Sequence, residues 1–228
     1  MVVLKSLDTG HPLFAALYVV VPVAIISLDR MTVDLALVSL ALGFAVYLDP
    51  ESPWKLYVIL AAATLCRDSG FLLWAAYAIR LLWLRRFRRF AVFATALLPA
   101  VLWTVWVRST MPGGAAFGPR GLLPLWSMLH AVLHPRHYPF PAPVVAVIVA
   151  LWWVQFGGIV LSIVLAFGGL RKLGADAISN ACFLWACFAI MLPPGVYDDP
   201  FAGARILARL FLFHSVRGPL DASAAAAG

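Results

Sequence analysis

The sequence predicts an all-helical bundle that crosses a membrane several times, and three observations carry that prediction. Hydrophobic residues fill 64% of the 228 positions and charged residues only 12%, which leaves too little polar surface for a water-soluble domain of this size. The apolar residues fall in successive runs parted by short polar or proline-bearing turns, and in a bilayer such runs satisfy their own backbone hydrogen bonds as helices. The basic residues gather at alternate turns, as a chain with one fixed orientation requires.

The strongest basic block is Arg85, Arg86, Arg88 and Arg89, and positive charge beside a span stays on the cytoplasmic side. Alternating outward from it places Lys5, Arg171, Lys172 and Arg217 inside as well. Both termini are therefore expected inside, and residues 1–216 form one transmembrane domain. The net charge of +7 is that of these anchors and a few further arginines, so no nucleic-acid partner is expected. Cys66, Cys182 and Cys187 are odd in number, and two share one predicted helix. Neither a disulfide framework nor a metal site is expected from them.

In order, eight apolar segments are expected. Residues 13–28 follow Lys5 and carry Pro22 as a kink; without a small-residue cleavage site they read as a retained signal anchor. The adjacent Asp29 and Arg30 make a short outer turn, and residues 32–48 return inward with Asp34 near their start. Asp49, Pro50, Glu51, Ser52 and Pro53 break the helix. Residues 54–66 and 71–84 are each about a dozen long, short of the roughly 20 a full crossing needs. They meet at Arg67, Asp68, Ser69 and Gly70. A polar turn between two short, re-entrant helices is tolerated where it lines a protein cavity; two tilted spans are the alternative. Residues 90–107 cross outward into the long loop 108–141. Within that loop Leu122, Leu125, Trp126, Leu129 and Leu133 repeat at helical spacing, so residues 121–134 are expected as an amphipathic helix on the outer interface. Residues 142–170, 177–192 and 201–216 complete the set, and residues 217–228 form a disordered tail.

Apart from the cytoplasmic anchors and the acidic inside turn at Asp49 and Glu51, the unusual charges fall on the outer side: Asp29, Arg30, Asp34, Arg67, Asp68, Asp198, Asp199, Arg205 and Arg209. Each would cost about 2.5–3.5 kcal/mol near the centre of a membrane helix, and a shared outward-facing polar cavity removes that cost. Asp34 also fits a helix cap, as do Asp198 and Asp199. Arg205 and Arg209 are four apart and share one helix face, where the guanidinium fork suits phosphate oxygens. Arg80 belongs with the cytoplasmic anchors. His130, His134 and His137 lack a nearby acidic ligand, so exposed histidines on an interfacial helix are expected rather than a metal centre.

Three stretches carry a resemblance: LDRMTVDLALVSLALGFAVYL, ATLCRDSGFLLWAAYAIRLLWLRRFRRFAVFATALLPAVLWTVWVR and VYDDPFAGARILARLFL. Together they resemble the C-terminal two thirds of bacterial polytopic proteins of cell-surface glycopolymer formation, similar to GT-C-type glycosyltransferases. The resemblance implies transfer of a sugar from a polyprenyl-phosphate carrier to a cell-envelope glycan or lipid, on the outer face of the bacterial cytoplasmic membrane. It implies Asp29 and Asp68 as catalytic carboxylates, and Arg30, Asp34, Arg67 and Arg205 as contacts for lipid phosphate or sugar. Membrane lipids and the lipid-linked sugar are the implied partners, with no cofactor. Two departures stand out. Arg67 is followed by Asp68 where the family has Arg-Glu, and the first outer turn holds only Asp29 and Arg30 where the family has a large loop with an acidic base. A truncated or inactive remnant of such an enzyme therefore stays open, as does a non-enzymatic transporter or flippase-like component.

Overall fold

Helix limits fall where the sequence places its breakers. The computed structural model describes residues 34–48, 53–110, 125–134 and 137–192. Helix makes up 85% of these, with no strand among them. The expected spans 13–28 and 201–216, the tail, and Asp29, Arg30, Asp198, Asp199, Arg205 and Arg209 lie outside the described residues.

The first three helices are α1 (Asp34–Val46), α2 (Pro53–Cys66) and α3 (Phe71–Trp83). α2 opens on Pro53, whose missing N–H and fixed φ suit the first helical position. It ends where Arg67 turns extended, at φ −162° and ψ 149°. A 3-10 turn, Asp68–Gly70, leads into α3. With 14 and 13 residues, α2 and α3 each rise about 20 Å, short of the roughly 30 Å hydrocarbon core.

After a tight reversal at Leu84, Arg85 and Arg86, a rod of 24 residues runs over Phe87–Thr110. It comprises α4 (Phe87–Ala94), a 3-10 turn Thr95–Leu97, and α5 (Leu98–Thr110). The tightening at Thr95 has its cause four residues on, because Pro99 offers no N–H to the Thr95 carbonyl and its ring crowds that group. Neighbouring side chains bond the disturbed segment. Trp74 Nε1 donates to the Phe93 carbonyl at 2.8 Å, Thr95 Oγ1 donates to the Val92 carbonyl at 2.6 Å, and the Tyr57 hydroxyl lies 3.0 Å from Thr95 Oγ1. Trp74→Phe keeps a ring in place but removes the first of these bonds. It is expected to lower stability by about 1 kcal/mol, read as an earlier unfolding midpoint in detergent.

The remaining helices are α6 (Trp126–Leu133), α7 (Ala142–Gly168) and α8 (Ala177–Ile190). Asp176 caps α8, accepting from Ile178 N at 3.3 Å and Ser179 N at 2.8 Å, which satisfies amides otherwise left without an acceptor. α1, α2, α3, α7, α8 and the rod Phe87–Thr110 begin and end within three residues of the sequence expectation, which did not include the break at Thr95–Leu97.

The core sits between α1, α2, α3 and α8, around Phe44, Leu56, Leu60, Leu73, Leu81 and Trp185, with Phe93 reaching in from α4 and Ala166 from α7. α1 runs antiparallel along α2: Lys55 Nζ lies over the Tyr47 ring, and Gly43 faces Ile59. α8 runs antiparallel along α3, with Gly174 against Trp83 at one end and Asn180 bonded to the Ala76 carbonyl further along. These pairings give the bundle a basic end, with Arg85, Arg86, Arg88, Arg89, Arg171 and Lys172, and an opposite end with the Arg67–Gly70 turn.

Two helices, Phe87–Thr110 and Ala142–Gly168, are long and apolar enough to cross a membrane. Leu102, Trp103 and Val105 on the first and Val147, Val154 and Val164 on the second are more than half exposed. Apolar faces of that extent mark membrane association.

α6 falls within the expected 121–134 helix, of which residues 121–124 lie outside the described residues. Its Leu125, Trp126, Leu129 and Leu133 stripe is exposed, while Ser127, Met128 and Ala131 are buried against Ile159, Trp152, Phe156 and Leu192. Met128 and Ala131 meet Ile159 of α7 on this side, and the bulky apolar side is left outward.

Candidate functional site

The site begins with a length mismatch. α2 stops at Cys66 while the rod beside it continues to Thr110. The step between them is a groove of about 330 Å³ lined by Thr64, Asp68 and Phe71 on one side, and by Leu97, Ala100, Val101, Thr104 and Val105 on the other. Those rod residues stand ten to eighteen positions beyond Phe87, about 15–27 Å along the helix axis from the basic end. The groove therefore opens sideways, on the apolar flank of α5, in the half of the rod remote from the arginines.

Gly70 positions the turn that forms its floor. The backbone at Gly70 lies directly on the Ala63 carbonyl, where a Cβ would overlap both carbon and oxygen. Gly70 N donates to the Arg67 carbonyl at 2.8 Å, and Arg67 N to the Ala63 carbonyl at 3.3 Å. Ser69 and Gly70 are buried, Arg67 is half-buried and Asp68 is exposed. This geometry turns the Asp68 side chain to the groove. Among the described residues, Asp68 is the only charged one of the lining. Thr64 and Thr104 spend their hydroxyl protons within their own helices, on the Ala61 carbonyl at 2.9 Å and the Ala100 carbonyl at 2.8 Å. Their oxygens remain acceptors only. A long apolar chain fits such walls, and a polar head bearing hydroxyl donors fits the carboxylate.

Of the residues expected at the site, the structure brings Asp68 into the groove and Arg67 into the adjoining turn. The antiparallel pairing of α1 and α2 brings the start of α1, at Asp34, to that same end. Asp29, Arg30 and Arg205 lie outside the described residues. Thr64, Phe71 and Thr104 were not expected at the site. Thr64 sits three residues before Arg67, one helical turn away, but nothing along the chain links it to Thr104. Asn180 was likewise unforeseen. It is 1% exposed, and holds α8 to α3 through Nδ2 on the Ala76 carbonyl at 3.1 Å and to the preceding turn through Oδ1, which accepts from Gly174 N at 2.8 Å.

His130 and His134 stack with centroids 4.5 Å apart and no third ligating side chain joins them among the described residues. Compared with protein-family models, with curated proteins and with solved structures, the chain gives no match.

Proposed function

We propose that this chain is a GT-C-like membrane glycosyltransferase, or the C-terminal part of one. It takes a sugar from a polyprenyl-phosphate carrier and passes it to a cell-envelope glycan or lipid on the outer face of a bacterial cytoplasmic membrane. The bundle is polytopic, with eight apolar segments and both termini inside. The observation that carries the reading is the sideways apolar groove with the Asp68 carboxylate at its floor, beside an arginine, on a turn between two helices too short to cross a bilayer. In this reading the prenyl chain lies along Phe71, Val101 and Val105 and the sugar-phosphate meets the turn.

Arg67, with Arg205 and Arg30, holds the phosphate, since a planar guanidinium pairs with two of its oxygens at once. Asp68 contacts the sugar, and Asp34 orients the arginines or the sugar from the start of α1. In an inverting transfer a carboxylate, Asp29 or Asp68, takes the proton of the acceptor hydroxyl as its oxygen bonds to the sugar's anomeric carbon. The carbon–oxygen bond to phosphate breaks, and the electron pair leaves on the phosphate, where the arginines stabilise it.

The test uses the purified full chain in lipid with a radiolabelled pool of polyprenyl-phosphate sugars. Asp68→Asn keeps the shape but not the charge, and is expected to cut transfer by about 100-fold or more while carrier binding persists. If the unmutated chain binds the carrier but transfers nothing, the enzyme reading fails. A lipid-moving component, which the same groove would serve, then takes its place.

A further inference from the structure

At the basic end two local rules of helix chemistry are broken together. α3 closes with Arg86 N donating to the Leu81 carbonyl at 2.8 Å and Arg85 N to the Leu82 carbonyl at 3.0 Å. In this paired closure the residue at Arg85 must be left-handed and is ordinarily glycine. Arg85 takes it at φ 54°, a strained choice for a residue with a Cβ. The facing turn does use glycine for the same need, at Gly174 with φ 85°. The next helix, α4, then starts with Arg88 and Arg89 in its first turn, no acidic residue there, and no side-chain cap, although the dipole at a helix start disfavours cations. Local rules broken without local gain are expected where a function is served.

What the breaks achieve is concentration of charge. Trp83 against Gly174 sets the turn holding Arg85 and Arg86 beside the turn holding Arg171 and Lys172. Arg80, Arg86 and Arg89 all lie within electrostatic reach of the Tyr77 hydroxyl, and the enclosed Nε of Arg80 has no hydrogen-bond acceptor among the described residues. Asp176, the one carboxylate at this end among the described residues, is engaged by Ile178 N, Ser179 N and the Ser179 hydroxyl. Large apolar side chains lie among the cations and stay outward: Trp83 is 66% exposed, Phe87 61% and Leu170 44%.

We infer that this end is a docking surface for an anionic phospholipid of the adjoining leaflet, its phosphates held between the Arg85–Arg89 turn and Arg171, its acyl chains against Trp83, Phe87 and Leu170. Charge complementarity selects the anion, and the interleaved apolar side chains select a lipid over a soluble phosphate. Because cations come from two turns, a lipid with two phosphates is matched best. The inference does not depend on sugar transfer.

The full chain in neutral detergent is titrated with cardiolipin, with phosphatidylcholine and with pyrophosphate, and bound lipid is counted by native mass spectrometry. Cardiolipin is expected to bind, more weakly as salt rises. Arg171→Gln should weaken it about fivefold, and Arg88→Gln with Arg89→Gln about 25-fold together, at the loss expected for each basic residue removed. Both variants change exposed side chains, so folding is retained. Equal binding of phosphatidylcholine, variants that bind like the parent, or displacement of cardiolipin by equimolar pyrophosphate would each overturn the inference. Carrier binding and transfer at the other end are untouched by any of these outcomes.

Discussion

Gly70→Ala is expected to be the most damaging single methyl group that can be added to the described bundle, lowering stability by about 3 kcal/mol or more. The backbone at Gly70 is ordinary, at φ −63° and ψ −23°, so an alanine meets no conformational objection there. The contact is what forbids it. The new Cβ would overlap the Ala63 carbonyl and stand 3.1 Å from Thr64 N, and all of these are backbone atoms that no rotamer change can move. α2 and α3 would have to part, carrying Arg67 and Asp68 with them, so the proposed sugar transfer should fall with stability. Gly157→Ala is the control. It sits in α7 with nothing within 4 Å of an added Cβ, and a helical Gly→Ala change there should be neutral or gain up to about 1 kcal/mol. Unfolding midpoints in detergent give both values. A Gly70→Ala protein that melts with its parent would show that the two short helices do not cross as described.

Asn180→Ala is expected to cost about 2–3 kcal/mol. Two hydrogen bonds go, at about 1 kcal/mol each, and the buried Gly174 amide is left without an acceptor. In lipid the figure falls toward the lower value, because hydrogen bonds between membrane helices average well under 1 kcal/mol where both states find partners. The damage should concentrate at one place. With Asn180 gone, the turn at Gly174 loses its hold on α8, and Trp83 its backing. Amide exchange should therefore quicken first in residues 169–176 and at the end of α3, before the α1–α2 pair. Uniform loosening across all four core helices would contradict the role given to this side chain.

Much of the bundle was legible along the chain. Pro53, the Arg67–Gly70 break, the arginines after Trp83, and Pro141 mark where helices stop and start, because capping and breaking are decided within a few residues. The two short helices were legible from length alone, and the meeting of Arg85–Arg89 with Arg171 and Lys172 at one end follows from the alternation of charge. Asp68 could be singled out because a carboxylate amid apolar runs is costly. Its groove could not, since the other wall comes from Leu97 to Val105, some 30 positions on, and no local signal relates Thr64 to Thr104.

The sequence by itself determined the outer limits of most of the described helices and which turns are basic, but not the break of the rod at Thr95–Leu97. Those properties rest on local chemistry and on total hydrophobicity. The tertiary structure alone decided which face of each helix is inside. α1, α2, α7 and α8 are apolar nearly all round, so they carry no stripe that could name a core side. On α6, where a stripe exists, the leucines face outward, as an interfacial helix would hold them, and Ser127, Met128 and Ala131 are the buried side. Where the surroundings are as apolar as the core, close packing between small side chains chooses the inner face, because exclusion of bulky ones from water no longer does.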